Sequence, residues 1–282
     1  MIIDFHTHTF PDKSSEKIVN HLAHIGCIPP HTDGSVIGLF SSMKEADVDY
    51  SVNLPVMTKP EQVEKVNSSL IQIQEHLLDM KIITFGGMHP DYPNYKEELL
   101  RLKQAGIPGI KLHPAYQNVD LDDIRMMRII DEASSLGLIT LVHAGIDIGI
   151  YDHNYSSVSH ILKLLKEVAP EKFVLAHMGN WGCWKEVERD LTGAPVYFDT
   201  AFSYGPVTPL PDSPKAPYLS YNLHPKDFVR LARKHGTDKI LFGTDSPWES
   251  QQDYVKRISH MRFTKKELEQ ILSENAKNLL QS

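Results

Sequence analysis

Near its start the chain reads Ile3-Asp4-Phe5-His6-Thr7-His8. Residues two apart on a strand share a face, so a strand here aims His6 and His8 the same way, with Asp4 below them. Two neutral imidazoles on one face are the start of a metal site. The spacing alone decides nothing, because a 282-residue chain with 15 histidines contains roughly one His-x-His pair by chance. Placement gives the pair its weight. His113, His143 and His177 each end an apolar run, His89 follows another, and Asp245 ends the run in Leu241-Phe242-Gly243-Thr244. One carboxylate and several imidazoles converging suit a borderline divalent cation, most readily Zn²⁺, with Mn²⁺ and Fe²⁺ as alternatives. Such an ion is catalytic only where a coordination position stays open to water or substrate.

Those residues converge only if the runs close into a ring. Eight Val/Ile/Leu/Phe-rich runs read as strands buried on both faces, at 2–6, 50–54, 82–86, 109–113, 138–143, 173–177, 196–200 and 240–244. Amphipathic stretches alternate with them, at 60–80, 95–104, 122–136, 157–168, 184–191, 225–234 and 253–261, with a closing helix at 265–280. Thr58 with Glu61, and Thr264 with Glu267, offer capping boxes. The alternation predicts an α/β (β/α)₈ TIM barrel, whose active site lies at the C-terminal ends of the strands. An open doubly wound sheet is the competing fold, but no Gly-x-Gly-x-x-Gly follows the first strand. We expect one domain over 1–282 with insertions at 9–36 and 201–223. The second insertion holds Pro206, Pro209, Pro211, Pro214 and Pro217, which suits a stiff lid or a subunit contact.

Composition narrows the partners. Lys plus Arg is 29 and Asp plus Glu 36, a formal charge of −7. Without a basic run this argues against nucleic acid and anionic membranes and leaves a small-molecule substrate. No apolar stretch approaches the ~20 residues of a membrane span. Cys27 and Cys183 cannot build a disulfide framework, and the first residues read as a needed strand and not a leader, so a cytoplasmic location is expected.

Taken in order, Ile3–His8, Gly109-Ile110-Lys111-Leu112-His113-Pro114, Leu141-Val142-His143-Ala144-Gly145, Leu175-Ala176-His177-Met178-Gly179 and Leu241–Asp245 resemble the strand-end motifs of the amidohydrolase superfamily. The resemblance runs from Ile3 to about Leu280. It is nearest to the amidohydrolase-2 branch that includes aminocarboxymuconate semialdehyde decarboxylase. It implies that His6, His8, His143 and Asp245 hold the metal, and that His177 acts as acid/base or polarises the substrate. In binuclear relatives the fifth- and sixth-strand histidines hold a second ion, and a carboxylated lysine on the fourth strand bridges the two. Lys111 sits on that strand. Its other reading is a cation paired with Asp4 inside the barrel, or with substrate, because a buried lysine needs a partner.

The implied activity is hydrolysis of an amide, ester or lactone of a small molecule. The metal would acidify a water, Asp245 would orient it or take its proton, and His177 would serve the tetrahedral intermediate or leaving group. Lys111, His113, His89, Trp181, Trp248 and Phe10 are candidate substrate contacts, as are Tyr116 and Asn118. Non-oxidative decarboxylation of an aromatic or unsaturated acid is the alternative. That chemistry favours an arginine clamp on the carboxylate, and every arginine falls in an expected helix or C-terminal segment. A non-catalytic metal-binding barrel is a second alternative. The resemblance also implies a homodimer. The apolar residues of the first insertion, Leu22, Ile25 and Ile28 beside His21, offer either a subunit contact or a cover for the site.

Overall fold

Short β-rich runs separated by amphipathic helices fold as their periodicity requires. In the computed structural model, which describes residues 1–205, 207–211, 213 and 221–282, the strands are β1 (Ile3–Thr7), β2 (Tyr50–Asn53), β3 (Ile82–Thr84), β4 (Gly86–Gly87), β5 (Gly109–Leu112), β6 (Ile139–Val142), β7 (Phe173–Leu175), β8 (Tyr197–Asp199) and β9 (Ile240–Leu241). All pairings between them are parallel, in the orders β1-β2-β3 and β4-β5-β6-β7-β8-β9. β3 and β4 are two pieces of the expected third strand. Phe85 lies between them and still donates its amide to Asn53 O at 3.0 Å. At the other seam, Phe5 N donates to Phe242 O (2.7 Å), Asp245 N to His6 O (2.8 Å) and His8 N to Ser246 O (2.7 Å). These bonds bring the chain after β9 alongside β1, and the fold is a (β/α)₈ TIM barrel.

The core has two layers. Inside the barrel pack Phe5, Val52, Leu54, Phe85, Leu141, Val174 and Leu241. Phe5 and Phe85 meet edge to face at 5.9 Å and 89°. Ile110, Leu112, Val142 and Leu175 point outward to the helices, among them α6 (Ile124–Ser135) and α7 (Val158–Glu167). Alternation along β5 therefore turns Lys111 inward between two outward residues.

Several local expectations change. The first insertion carries α1 (Ser15–Gly26), and α2 (Val36–Glu45) follows at a stretch not read as helical. Ser35 caps α2, its Oγ accepting from Gly38 N at 2.9 Å. Thr264 and Glu267 form their capping box, but Thr58 and Glu61 do not. Gln62 Oε1 instead accepts from Thr58 N (2.8 Å) and Lys59 N (3.0 Å). Its longer side chain reaches back over the turn that Pro60 starts. The expected helices at 184–191 and 265–280 each loosen into a wider turn, at Val187–Leu191 and Gln270–Glu274.

Leu22 and Ile28 line the cavity at the barrel mouth, so the first insertion covers its own site with those residues, while His21 and Ile25 stay exposed. Of the second insertion, positions 206, 212 and 214–220, with Pro206, Pro214 and Pro217, lie outside the described residues. Within the described part, Leu210 N donates to Cys27 O (2.9 Å), just past the end of α1.

Candidate metal centre

The site is built from the C-terminal ends of β1, β5, β6, β7 and β8 and the turn after β9. β1 is irregular between Asp4 and Thr7, so Asp4 and His6 do not share a face. Asp4 accepts from Thr244 Oγ1 (2.6 Å), Thr244 N (3.0 Å) and Gln251 Nε2 (2.7 Å). Lys111 therefore does not pair with Asp4. Its Nζ lies 3.3 Å from His6 Nε2, and burial lowers it to about 8 against the pull of Asp199, Asp245 and Asp147.

His6 and His8 are oriented from behind. His6 Nδ1 lies 2.8 Å from Asp199 Oδ2, and His8 Nδ1 lies 2.7 Å from Leu54 O. A carboxylate and a carbonyl oxygen accept, so each Nδ1 carries the proton and each Nε2 presents a lone pair. The two Nε2 atoms are 3.2 Å apart. Asp245 Oδ1 stands 3.1 Å from His8 Nε2 and 3.5 Å from His6 Nε2. Burial alone would raise the Asp245 carboxyl, but the neighbouring His6 and His8 outweigh it and hold it well below the usual carboxylate range. Burial, then Lys111, keeps His6 neutral at ordinary pH by lowering its pKa well below the usual value.

Two lone pairs and an anionic oxygen at these distances repel one another unless a cation lies among them. The nitrogen and oxygen donors suit the borderline divalent ions that imidazole and carboxylate hold. The residues present fit a metal.

His143 stands apart from this trio. Its Nδ1 faces His177 Nε2 at 3.0 Å, and its buried Nε2 has no hydrogen-bond partner among the described residues. It stacks on His113 at 4.2 Å and 16°. Asp147 Oδ2 lies 3.6 Å from His113 Nε2 and 3.9 Å from His143 Nε2. His113, His143 and Asp147 thus form a second cluster of ligand-type atoms. Burial raises Asp147 to about 6, with backbone amides opposing. His177 donates from Nδ1 to Ala201 O (2.8 Å), leaving Nε2 directed at His143.

A cavity of about 430 Å³ opens over these groups. Phe10, Trp181, Trp248 and Tyr116 line it, as expected, and Lys111 and His113 reach it. Trp181 is fixed by Nε1–H donation to Phe202 O at 3.0 Å. His89 is not among the lining residues. Its Nδ1 accepts from Asp91 N (3.1 Å) in a turn. Asn118 also lies off the wall, accepting from Tyr155 OH through Oδ1.

Asp199 and Asp147 escaped the sequence reading. Asp199 closes an apolar run just as the site histidines do, so its signal was present. Asp147 lies in the loop four residues past His143, where strand periodicity no longer applies.

A parallel barrel with imidazoles and a carboxylate at its C-terminal mouth defines a metal-dependent barrel enzyme. The chain belongs to the amidohydrolase family (Amidohydro_2), whose pattern matches residues 3–281. Its chemistry is of the amidohydrolase type, with residues that fit a divalent metal. No curated protein gives a significant match. Among solved structures, an uncharacterised TIM-barrel protein from Bordetella bronchiseptica is 17% identical, with a TM-score of 0.75 over 99% of this chain and 98% of that one. A 2,6-dihydroxybenzoate decarboxylase, solved with 2,6-dihydroxybenzoate, is 14% identical, with a TM-score of 0.72 over 100% and 99%. A dihydroxybenzoic acid decarboxylase from Polaromonas, solved with manganese and 2-nitroresorcinol, is 13% identical, with a TM-score of 0.70 over 99% and 96%. At these identities the likeness shows the fold. Among the described residues no helix is long and apolar enough to cross a membrane.

Proposed function

We propose that the chain is a hydrolase that cleaves an amide, ester or lactone of a small, largely apolar molecule, with Zn²⁺ as its ion. The observation behind this choice is the charge inventory of the cavity. Among its described lining residues there is no arginine, and Lys111 is the one lysine. Lys111 is turned to His6, so a substrate carboxylate would lack a bidentate clamp.

His6, His8 and Asp245 would hold the ion, with His143 as the fourth group. When bound, a divalent ion supplies a Lewis acid and an acidified water at neutral pH. Asp245 takes the proton of the attacking water, since its carboxyl stays ionised. His177, anchored through Nδ1, accepts a proton at Nε2 and returns it to the leaving group. Phe10, Trp181 and Trp248 hold the carbon skeleton and exclude water.

A specific observation supports a second arrangement of the same centre. His143 Nδ1 and His177 Nε2 face each other at 3.0 Å, and Lys111 Nζ lies 3.3 Å from His6 Nε2. Those positions suit a second ion on the histidine pair, with a carboxylated Lys111 between the two. Decarboxylation is the competing reaction. Three structural neighbours are named as dihydroxybenzoate decarboxylases, and the aromatic walls suit a flat ring. The test is a panel of lactones, esters, amides and hydroxybenzoates presented to the metal-loaded protein, with cleavage products followed by chromatography and CO₂ release measured in parallel. Cleavage products without CO₂ support hydrolysis. CO₂ from a hydroxybenzoate overturns it.

A further inference from the structure

We propose that Asp199 is a positioning residue that sets the tautomer of His6 and holds the turn that carries His177. The inference rests on the reading of His6 as a metal ligand.

Asp199 ends β8 and is fully buried, with no solvent-exposed surface. Both of its oxygens are used. Oδ2 accepts from His6 Nδ1 at 2.8 Å, and Oδ1 accepts from His177 N (2.9 Å) and Ala201 N (3.0 Å). Its own carbonyl accepts from Met178 N at 2.7 Å. One residue thus grips a ring from β1 and two successive amides after β7.

Each grip has a distinct consequence. Acceptance at His6 Nδ1 keeps the proton there and leaves the Nε2 lone pair facing His8 and Asp245. Ligand histidines are commonly fixed in this way by a carboxylate behind them, and loss of that partner costs metal affinity. The second grip offsets backbone strain. His177 and Met178 have φ of +60° and +53°, the left-handed region that non-glycine residues seldom occupy. Two amides held by Asp199 keep that turn, and Ala201, whose amide Asp199 also binds, receives the Nδ1 proton of His177 at its carbonyl. Asp199 therefore couples the direction of the His6 lone pair to the direction of His177 Nε2.

Asp199→Asn separates this role from a structural one. The asparagine carbonyl can still accept from His177 N and Ala201 N, but its amide then donates to His6 Nδ1. The His6 proton moves to Nε2 and removes the lone pair. We expect the affinity for Zn²⁺, measured by competition with a chromophoric chelator, to fall about 10- to 100-fold. The melting temperature of the metal-free variant should stay within a few degrees of wild type. Asp199→Glu should recover part of the affinity. A lowered melting temperature with wild-type Zn²⁺ affinity would overturn the inference. If the variant does not fold, ¹⁵N-histidine NMR of the metal-free wild type decides, with the His6 signals assigned by their loss in His6→Gln. A proton on Nδ1 supports the role, and a proton on Nε2 overturns it. Failure of the wild type itself to bind Zn²⁺ would remove the metal reading beneath, and is distinct from wild-type binding that Asp199→Asn leaves unchanged.

Discussion

His6 Nε2 and His8 Nε2 face each other at 3.2 Å while both Nδ1 protons are committed elsewhere. The Lys111 ammonium, 3.3 Å from His6 Nε2, offsets part of the repulsion between these lone pairs, and a divalent cation would turn them into a chelate. His8→Phe should therefore bind Zn²⁺ at least about 100-fold more weakly than wild type, since it removes a direct ligand and not a supporting group. Its metal-free form should melt somewhat lower than that of wild type, because Leu54 O loses the donor that His8 Nδ1 supplies. Calorimetric titration with Zn²⁺ and a thermal scan of each metal-free protein check both parts.

Gly145 is required where the chain after β6 passes the loop carrying Trp181. Its φ is +106°, and a Cβ there would stand 2.1 Å from Trp181 N and 2.6 Å from Trp181 O. The two residues pair as an isolated parallel bridge. Gly145→Ala should cost about 3 kcal/mol or more, read from denaturant unfolding. The indole emission of the folded variant should also shift, because Trp181 must move off the cavity wall.

The pH dependence of stability has an assignable contributor far from the centre. His235 stacks on Phe198 at 3.8 Å and 12°, donates from Nε2 to Val196 O (2.9 Å) and accepts at Nδ1 from Gly193 N (3.3 Å). A proton on Nδ1 would face that amide. Burial lowers the pKa to about 4 from an ordinary value of 6.5. The unfolded chain thus takes up the proton first. This contribution is complete above pH 6.5 and is lost as the pH falls toward 4, by about 3 kcal/mol in all. His235→Phe keeps the stack without the titration. The stability difference between wild type and variant should shrink over that window, as measured by urea unfolding at several pH values.

Leu22 brings the apolar face of α1 to the cavity wall. For any panel compound that turns over, Leu22→Asn should raise KM about tenfold, which corresponds to about 1.4 kcal/mol of lost apolar contact. Metal content should be unchanged. Steady-state kinetics beside metal analysis separate the two effects.

Periodicity made the barrel legible, because inward and outward positions alternate along β5 and β6, and His113 and His143 fall on the inward parity. The same rule misplaced Asp4. The irregularity in β1 breaks the alternation between Asp4 and His6, and such breaks are set by the hydrogen bonds of the neighbouring turn at Thr244, not by local residue type. Lys111 was readable as an inward lysine in need of a partner. That the partner is His6 required the closed ring. His89 looked equivalent to the other strand-end histidines, but its ring turns back to the Asp91 amide, a local bond that the pattern of apolar runs does not encode.

The most direct test is the metal content of the purified chain after Zn²⁺ supplementation, measured by elemental analysis beside Asp245→Ala and His177→Gln. We expect about one tightly held ion per wild-type chain, little or none in Asp245→Ala, and near wild-type content in His177→Gln with turnover lost. About two ions in wild type and one in His177→Gln would establish the binuclear arrangement instead. A wild-type chain without metal, or an Asp245→Ala variant that keeps its ion, would contradict the central claim that His6, His8 and Asp245 form the binding site.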